Sequence, residues 1–269
     1  MKSYAHQKGI TWLEVIILLL VIFVLVGLFI PHGFLRAAKA GARTEALNNA
    51  KAIAGGLVAF KNDKGAYPCA FTRTALEKEG FSHLPNGTDA NAYFAQLIVT
   101  DIIDDEGVFN AAKSGSRKGD NIKDTSTTLL SPGENGFAYI MAPNEKPLTD
   151  VTSNTPLVLA PIREAGKVPT FDPEAYKGKG VYGAVDGSGK VFMIDENGHA
   201  SSKGRRDFFA NGPDSLFGND VPIIKLPSGL EFPSPSHGNW WFALLLLPFI
   251  GGLWWLASGA RKTAVKVPE

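Results

Sequence analysis

Apolar residues crowd the two ends of this chain and leave a polar, Gly- and Pro-rich middle. From Ile10 to Ile30 nearly every residue is aliphatic or aromatic, and the exceptions are Thr11, Glu14 and Gly27. Roughly 20 apolar residues cross a bilayer as a helix, so this run predicts a span. A cleaved secretory signal is the rival, but its apolar core is usually about 7–15 residues. A second run, Trp240 to Ala257, carries no charge and has tryptophan pairs near both ends, the pattern of an interfacial aromatic belt. Its rival is a buried apolar hairpin. Arg261, Lys262 and Lys266 follow it, and Lys2 and Lys8 precede the first run. The positive-inside rule then predicts that both ends are cytoplasmic and that the middle is outside.

The first helix is predicted to continue beyond Pro31, which would bend it. Leu47, Ala50, Ile53, Ala54, Leu57 and Phe60 recur at helical spacing, with Arg43, Glu45, Asn49, Lys51 and Lys61 largely on the other side. Asn62 to Gly65 ends it, with Gly65 suited to the left-handed cap and Pro68 just beyond. After Pro68 the pattern becomes irregular. Ala90 to Ile103 reads as a helix and Ala111 to Thr128 as a loop. Short β-type runs follow at Phe137–Met141, Leu157–Ala160, Val181–Val185 and Val191–Ile194, the last two joined by the turn Asp186-Gly187-Ser188-Gly189.

The predicted fold class is α+β: a long N-terminal helix, half membrane and half amphipathic, packed on a small antiparallel β-sheet, with an additional C-terminal transmembrane helix. The predicted divisions are a leader (1–9), the N-terminal helix (10–64), an extracytoplasmic domain (65–225), a Pro-rich connector (226–239), a second span (240–257) and a basic tail (258–269).

Composition narrows the function by exclusion. A formal net charge of +1 gives no field to steer toward nucleic acid. The single cysteine, Cys69, cannot close an intramolecular disulfide, and such residues usually sit buried as small hydrophobes. None of the five histidines pairs with a second His or Cys at metal-ligand spacing. The chain has no Gly-x-Ser-x-Gly elbow and no phosphate-binding loop ending in Lys-Ser or Lys-Thr. No constellation for catalysis is visible, and a non-enzymatic role is expected.

The residue that asks for a function is Glu14, a carboxylate inside an otherwise apolar run, costly enough that its default reading is functional. With Lys8-Gly9-Ile10-Thr11-Trp12-Leu13 before it, Val15 after it and Pro31 further along, the N-terminus resembles type IV pilin-like proteins, in particular the pseudopilins of type II secretion. The stretch Ala59 to Pro68 also resembles the helix exit of that family. The resemblance implies cleavage by a prepilin peptidase after Gly9 and methylation of the new terminus at Ile10. It assigns assembly roles to Glu14 and Pro31. The physical logic is that the new α-amino cation of one subunit and Glu14 of a neighbour neutralise each other, which lowers the burial cost of both charges and sets an axial stagger.

A second patch, Ala210 to Pro222, resembles the calcium loop of major pseudopilins and would place calcium on Asp214, Leu216, Asn219 and Asp220. Calcium takes six to eight carboxylate and carbonyl oxygens; a solvated turn cluster accounts for the same Gly, Pro, Asn and Asp residues. The partners implied are the prepilin peptidase, other pilin-like subunits, an inner-membrane assembly platform and the membrane itself. The implied location is the bacterial cytoplasmic membrane with the main domain periplasmic. The chain departs from the family pattern in its Pro-rich connector and second apolar run. An unprocessed two-span protein with an extracytoplasmic binding domain is the alternative, and it needs neither Gly9 nor Glu14.

Overall fold

The spacing of small and apolar residues between Ala42 and Phe60 places one stripe of a 53-residue helix, α1 (Trp12–Lys64), against the rest of the protein. Ala42, Ala46, Ala50, Ile53, Ala54, Leu57 and Phe60 are all buried, while Glu45, Asn48, Lys51 and Ala52 between them are exposed. The computed structural model describes residues 12–231 apart from 124, 126, 127, 142–152, 167, 203, 204, 207, 208, 210–215 and 218–221. Helix α1 stops at Gly65, whose φ of 78° is the left-handed conformation that glycine adopts without a Cβ penalty. Its N–H there donates to the Lys61 carbonyl at 2.8 Å, satisfying one of the last helical acceptors.

Two short helices follow. In α2 (Ala70–Lys78) the Cys69 N–H donates to Thr72 Oγ1 at 2.8 Å, holding the first turn closed. In α3 (Ala90–Val99) the Asp89 carboxylate accepts from the Ala92 N–H at 2.9 Å. Every residue of α3 from Ala90 to Ile98 is buried, so it is an internal element without a polar face. A single 3-10 turn, Glu106–Phe109, then begins a long irregular stretch.

The strands are β1 (Ala138–Met141), β2 (Pro156–Ala160), β3 (Ile162–Glu164), β4 (Thr170–Phe171), β5 (Lys179–Ala184), β6 (Gly189–Ile194), β7 (Ala200–Ser202), β8 (Arg205–Arg206) and β9 (Ile223–Lys225). Seven of them make an antiparallel sheet in the order β8-β7-β6-β5-β2-β1-β9, and β3 and β4 form a separate pair. The β5–β6 hairpin keeps Val181 opposite Val191, with Gly187 at φ 72° in the turn. Strand β9 returns late in the chain to pair with β1, Ile140 opposite Ile224.

The central strands bury both faces. Side chains alternate across a strand, so Tyr139 and Val181 join the core beneath α1 and α3, whereas their neighbours Ile140 and Tyr182 join a second core on the far side. That second core is aromatic. Phe209 lies 4.9 Å from Phe192 and 5.6 Å from Phe171, centroid to centroid.

The predicted architecture needs correction. Among the described residues, no helix is long and apolar enough to cross a membrane, so the membrane half assigned to the N-terminal helix is not found. The additional C-terminal transmembrane helix, at 240–257, falls with the connector and the tail outside the described residues. Nor is the sheet small. Its seven strands include β7, β8 and β9, whose short polar or mixed sequences carry no β periodicity. Helix α2 occupies the stretch expected to be irregular, and α3 ends at Val99, four residues before the predicted Ile103. The chain turns instead at Asp101, whose φ is 54°.

Candidate functional site

Helix α1 has two unlike halves. From Ala42 onward its apolar stripe is covered by the domain, and Asn49 Nδ2 donates to the Asn110 carbonyl at 2.8 Å, tying the helix to the irregular stretch. Near its start, Trp12, Val15, Ile16, Ile17, Leu18, Leu19, Leu20, Val21 and Ile22 are all exposed, Trp12 by 80%. Exposed apolar surface that continues over several helical turns marks an interaction site. Glu14 lies among these side chains and is itself exposed. The helical backbone runs on through Pro31. Gly9 and Ile10 lie outside the described residues, as do Asp214, Asn219 and Asp220. Leu216 is half-buried and packs against the aromatic core.

The descent from α1 into the domain is held by a buried polar knot. Thr72 Oγ1 donates to Gln96 Oε1 at 2.7 Å, Gln96 Nε2 donates to the Cys69 carbonyl at 3.1 Å, and the Tyr139 hydroxyl donates to the Pro68 carbonyl at 3.0 Å. Burial pushes the Tyr139 phenol well above its ordinary range. Cys69 is a buried thiol within this knot and belongs to its packing. The knot anchors the base of α1 and presents no open surface for chemistry.

A different constellation, carrying no recognisable motif, is assembled by tertiary folding. Carboxylate oxygens of Glu106, Asp120 and Glu134 lie within 4.8 Å of one another. Glu106 and Glu134 are both fully buried. Glu106 Oε1 accepts from the Leu130 N–H and Oε2 from the Asn121 N–H, each at 2.9 Å. The Asn121 side chain accepts in return from the Glu106 N–H at 2.8 Å. Asp120 is exposed, and its Oδ1 accepts from the Ile122 N–H at 2.9 Å. Glu134 Oε2 accepts from the Ser131 N–H at 2.8 Å. Among the described residues its Oε1 has no hydrogen-bond donor, although the Arg117 guanidinium lies 3.1 Å away.

Burial pushes the Glu134 carboxyl above the ordinary glutamate range. The Ser131 N–H and Arg117 oppose that shift, and the Asp120 and Glu106 carboxylates add to it. This is a hard-oxygen donor set with neither nitrogen nor sulfur, suited to a cation such as calcium or magnesium. In the sequence only Asp120 falls in the stretch read as loop, Ala111 to Thr128; Glu106 precedes it, Glu134 follows it, and Gly119 beside Asp120 is the faint cue. A Cβ at Gly119 would sit 2.6 Å from the Cβ of Glu106 and 3.1 Å from its carbonyl carbon, so only glycine lets Asp120 approach.

No family model matches this chain, and no curated protein or solved structure matches it either.

Proposed function

We propose that this chain is a structural, pilin-like (pseudopilin) subunit, cut by a prepilin peptidase after Gly9, that assembles or initiates a filament of the type II secretion or type IV pilus kind. The observation that carries the reading is the division of α1: one continuous helix whose later half is buried on a domain while its first turns expose apolar side chains around Glu14. Burying a Leu, Ile or Val side chain is worth about 1.5–3 kcal/mol. The exposed row from Val15 to Ile22 is thus a strong driving force for packing these segments against those of other subunits.

In such a bundle Glu14 meets the methylated amino group of Ile10 from a neighbour. Each charge lowers the cost of burying the other, and only one axial offset brings them together. The partners in this reading are the peptidase, other pilin-like subunits and an assembly platform of the cytoplasmic membrane, with the domain on the outer side. The role is not catalytic. A calcium ion on Asp214, Leu216, Asn219 and Asp220 belongs to the same resemblance.

The test is the intact mass and N-terminal sequence of the protein made with and without a prepilin peptidase. A chain beginning at methylated Ile10 only when the peptidase is present supports the reading. A chain that keeps Met1 to Gly9 beside an active peptidase removes it.

A further inference from the structure

The acidic cluster contains a charge problem. Three carboxylates meet one guanidinium, a formal net charge of −2 if all are ionised. Two of the three are fully buried, and the guanidinium belongs to an arginine whose side chain is 58% exposed. Uncompensated buried charge is among the most costly arrangements in a protein. The hydrogen bonds do not remove it. Those of Glu106 come from backbone N–H groups, which stabilise a negative carboxylate, and Glu134 Oε1 is left without a donor. That oxygen is fully buried on a member of the cluster, and Asp120 provides an exposed side from which an ion can enter.

We propose that Glu106, Asp120 and Glu134 form a calcium site that cross-links the otherwise irregular stretches 104–123 and 128–135. The chemical class follows from the donors. Three oxygens within 4.8 Å of one another share a centre no more than about 2.8 Å from each, so a small inward shift of the carboxylates reaches the calcium–oxygen range of about 2.3–2.6 Å. Magnesium demands near-ideal octahedral geometry at about 2.0–2.1 Å, which carboxylates already pinned by backbone N–H groups supply poorly. A divalent ion brings the formal balance to zero. It joins the 3-10 turn that carries Glu106, the Asp120 loop and the turn before β1. Through Asn110, which accepts from Asn49, the same stretch bears on α1. The site is separate from the Asp214 loop and does not rest on the filament reading.

The experiment is calcium binding by equilibrium dialysis on the full-length chain in mild detergent, stripped with EDTA, in an Asp214→Asn/Asp220→Asn background that silences the other candidate loop. The expected result is one ion bound per chain, with a midpoint at or below about 1 mM, the range of extracellular calcium modules. Asp120→Asn keeps the acceptor for the Ile122 N–H and lies on the surface, so folding is spared; it should raise the midpoint at least tenfold. Glu134→Gln should abolish binding. Absence of bound calcium at about 1 mM in that background overturns the proposal. So does an unchanged midpoint in Asp120→Asn, even if Glu134→Gln fails to fold.

Discussion

Gly183 of β5 lies directly beneath Ala50 of α1. A Cβ on Gly183 would stand 2.2 Å from the Ala50 carbonyl oxygen and 2.8 Å from the Cβ of Ala54. Helix and sheet touch backbone to backbone here, because the facing positions on α1 are Ala50 and Ala54 and the strand offers no side chain. Gly183→Ala should therefore destabilise the domain by about 1–3 kcal/mol or more, the usual cost of overpacking. Urea unfolding followed by circular dichroism measures it. Gly55 is the internal control: it is exposed on the same helix, and a Cβ there meets nothing within 4 Å. Gly55→Ala should stabilise by about 0.5–1 kcal/mol through helix propensity alone.

Leu57 and Phe60 are fully buried on the later half of α1. Leu57→Ala should cost about 2–5 kcal/mol and Phe60→Ala about 3–5 kcal/mol in the same unfolding assay. Ile17→Ala, on the exposed early half, should leave the unfolding midpoint of the domain unchanged. Equal losses at all three positions would mean that the two halves of the helix are not energetically distinct.

Glu14 is exposed and remote from both cores. Glu14→Ala should leave the thermal unfolding of the domain unaltered while preventing filament formation, scored by electron microscopy and by cross-linking between subunits. Intact filaments in this variant would dismiss the pairing of Glu14 with the processed terminus.

The buried Glu134 gives a pH dependence whose sign is determined. Its carboxyl titrates above the ordinary glutamate range in the folded chain, so the folded state holds the proton more tightly than the unfolded one. Stability must fall as pH rises from the unfolded pKa through the folded one. The loss is complete above the folded value, where the buried Glu134 carboxyl is charged beside Arg117. Glu134→Gln should flatten that part of the pH profile. Without calcium it should also be more stable than the parent at pH 8, by a few degrees in thermal unfolding. A variant less stable than the parent at pH 8 without calcium would show that the Arg117 ion pair outweighs the burial cost.

Asp104 gives the opposite sign at the surface. Lys123 donates to its carboxylate at 2.9 Å and holds the group below the ordinary range. Its contribution is present at neutral pH and is lost as pH falls through the folded value. Asp104→Asn should shift the acid limb of the profile only slightly, because the pair is exposed and screened by salt.

Periodicity by itself determined much of this protein. The repeat from Leu47 to Phe60 gave the buried face of α1, Gly65 its end, and Asp186 to Gly189 the β5–β6 turn, because spacing, left-handed caps and tight turns are local properties of a chain. The apolar N-terminal run and Glu14 within it were visible for the same reason, but its reading as a membrane span is not borne out among the described residues. Tertiary structure alone decided the rest. Strands β7 to β9 exist because neighbouring strands offer them hydrogen bonds, and nothing in their own composition requires it. Helix α2 forms where Thr72 and Cys69 close a cap and Gln96 fills the space behind them. Gly183 reads as a weak strand residue until Ala50 is brought against it. Glu106, Asp120 and Glu134 read as three loop acids dispersed along the sequence. They become one constellation only when burial and folding set their oxygens together, a non-local event that no window along the sequence can contain.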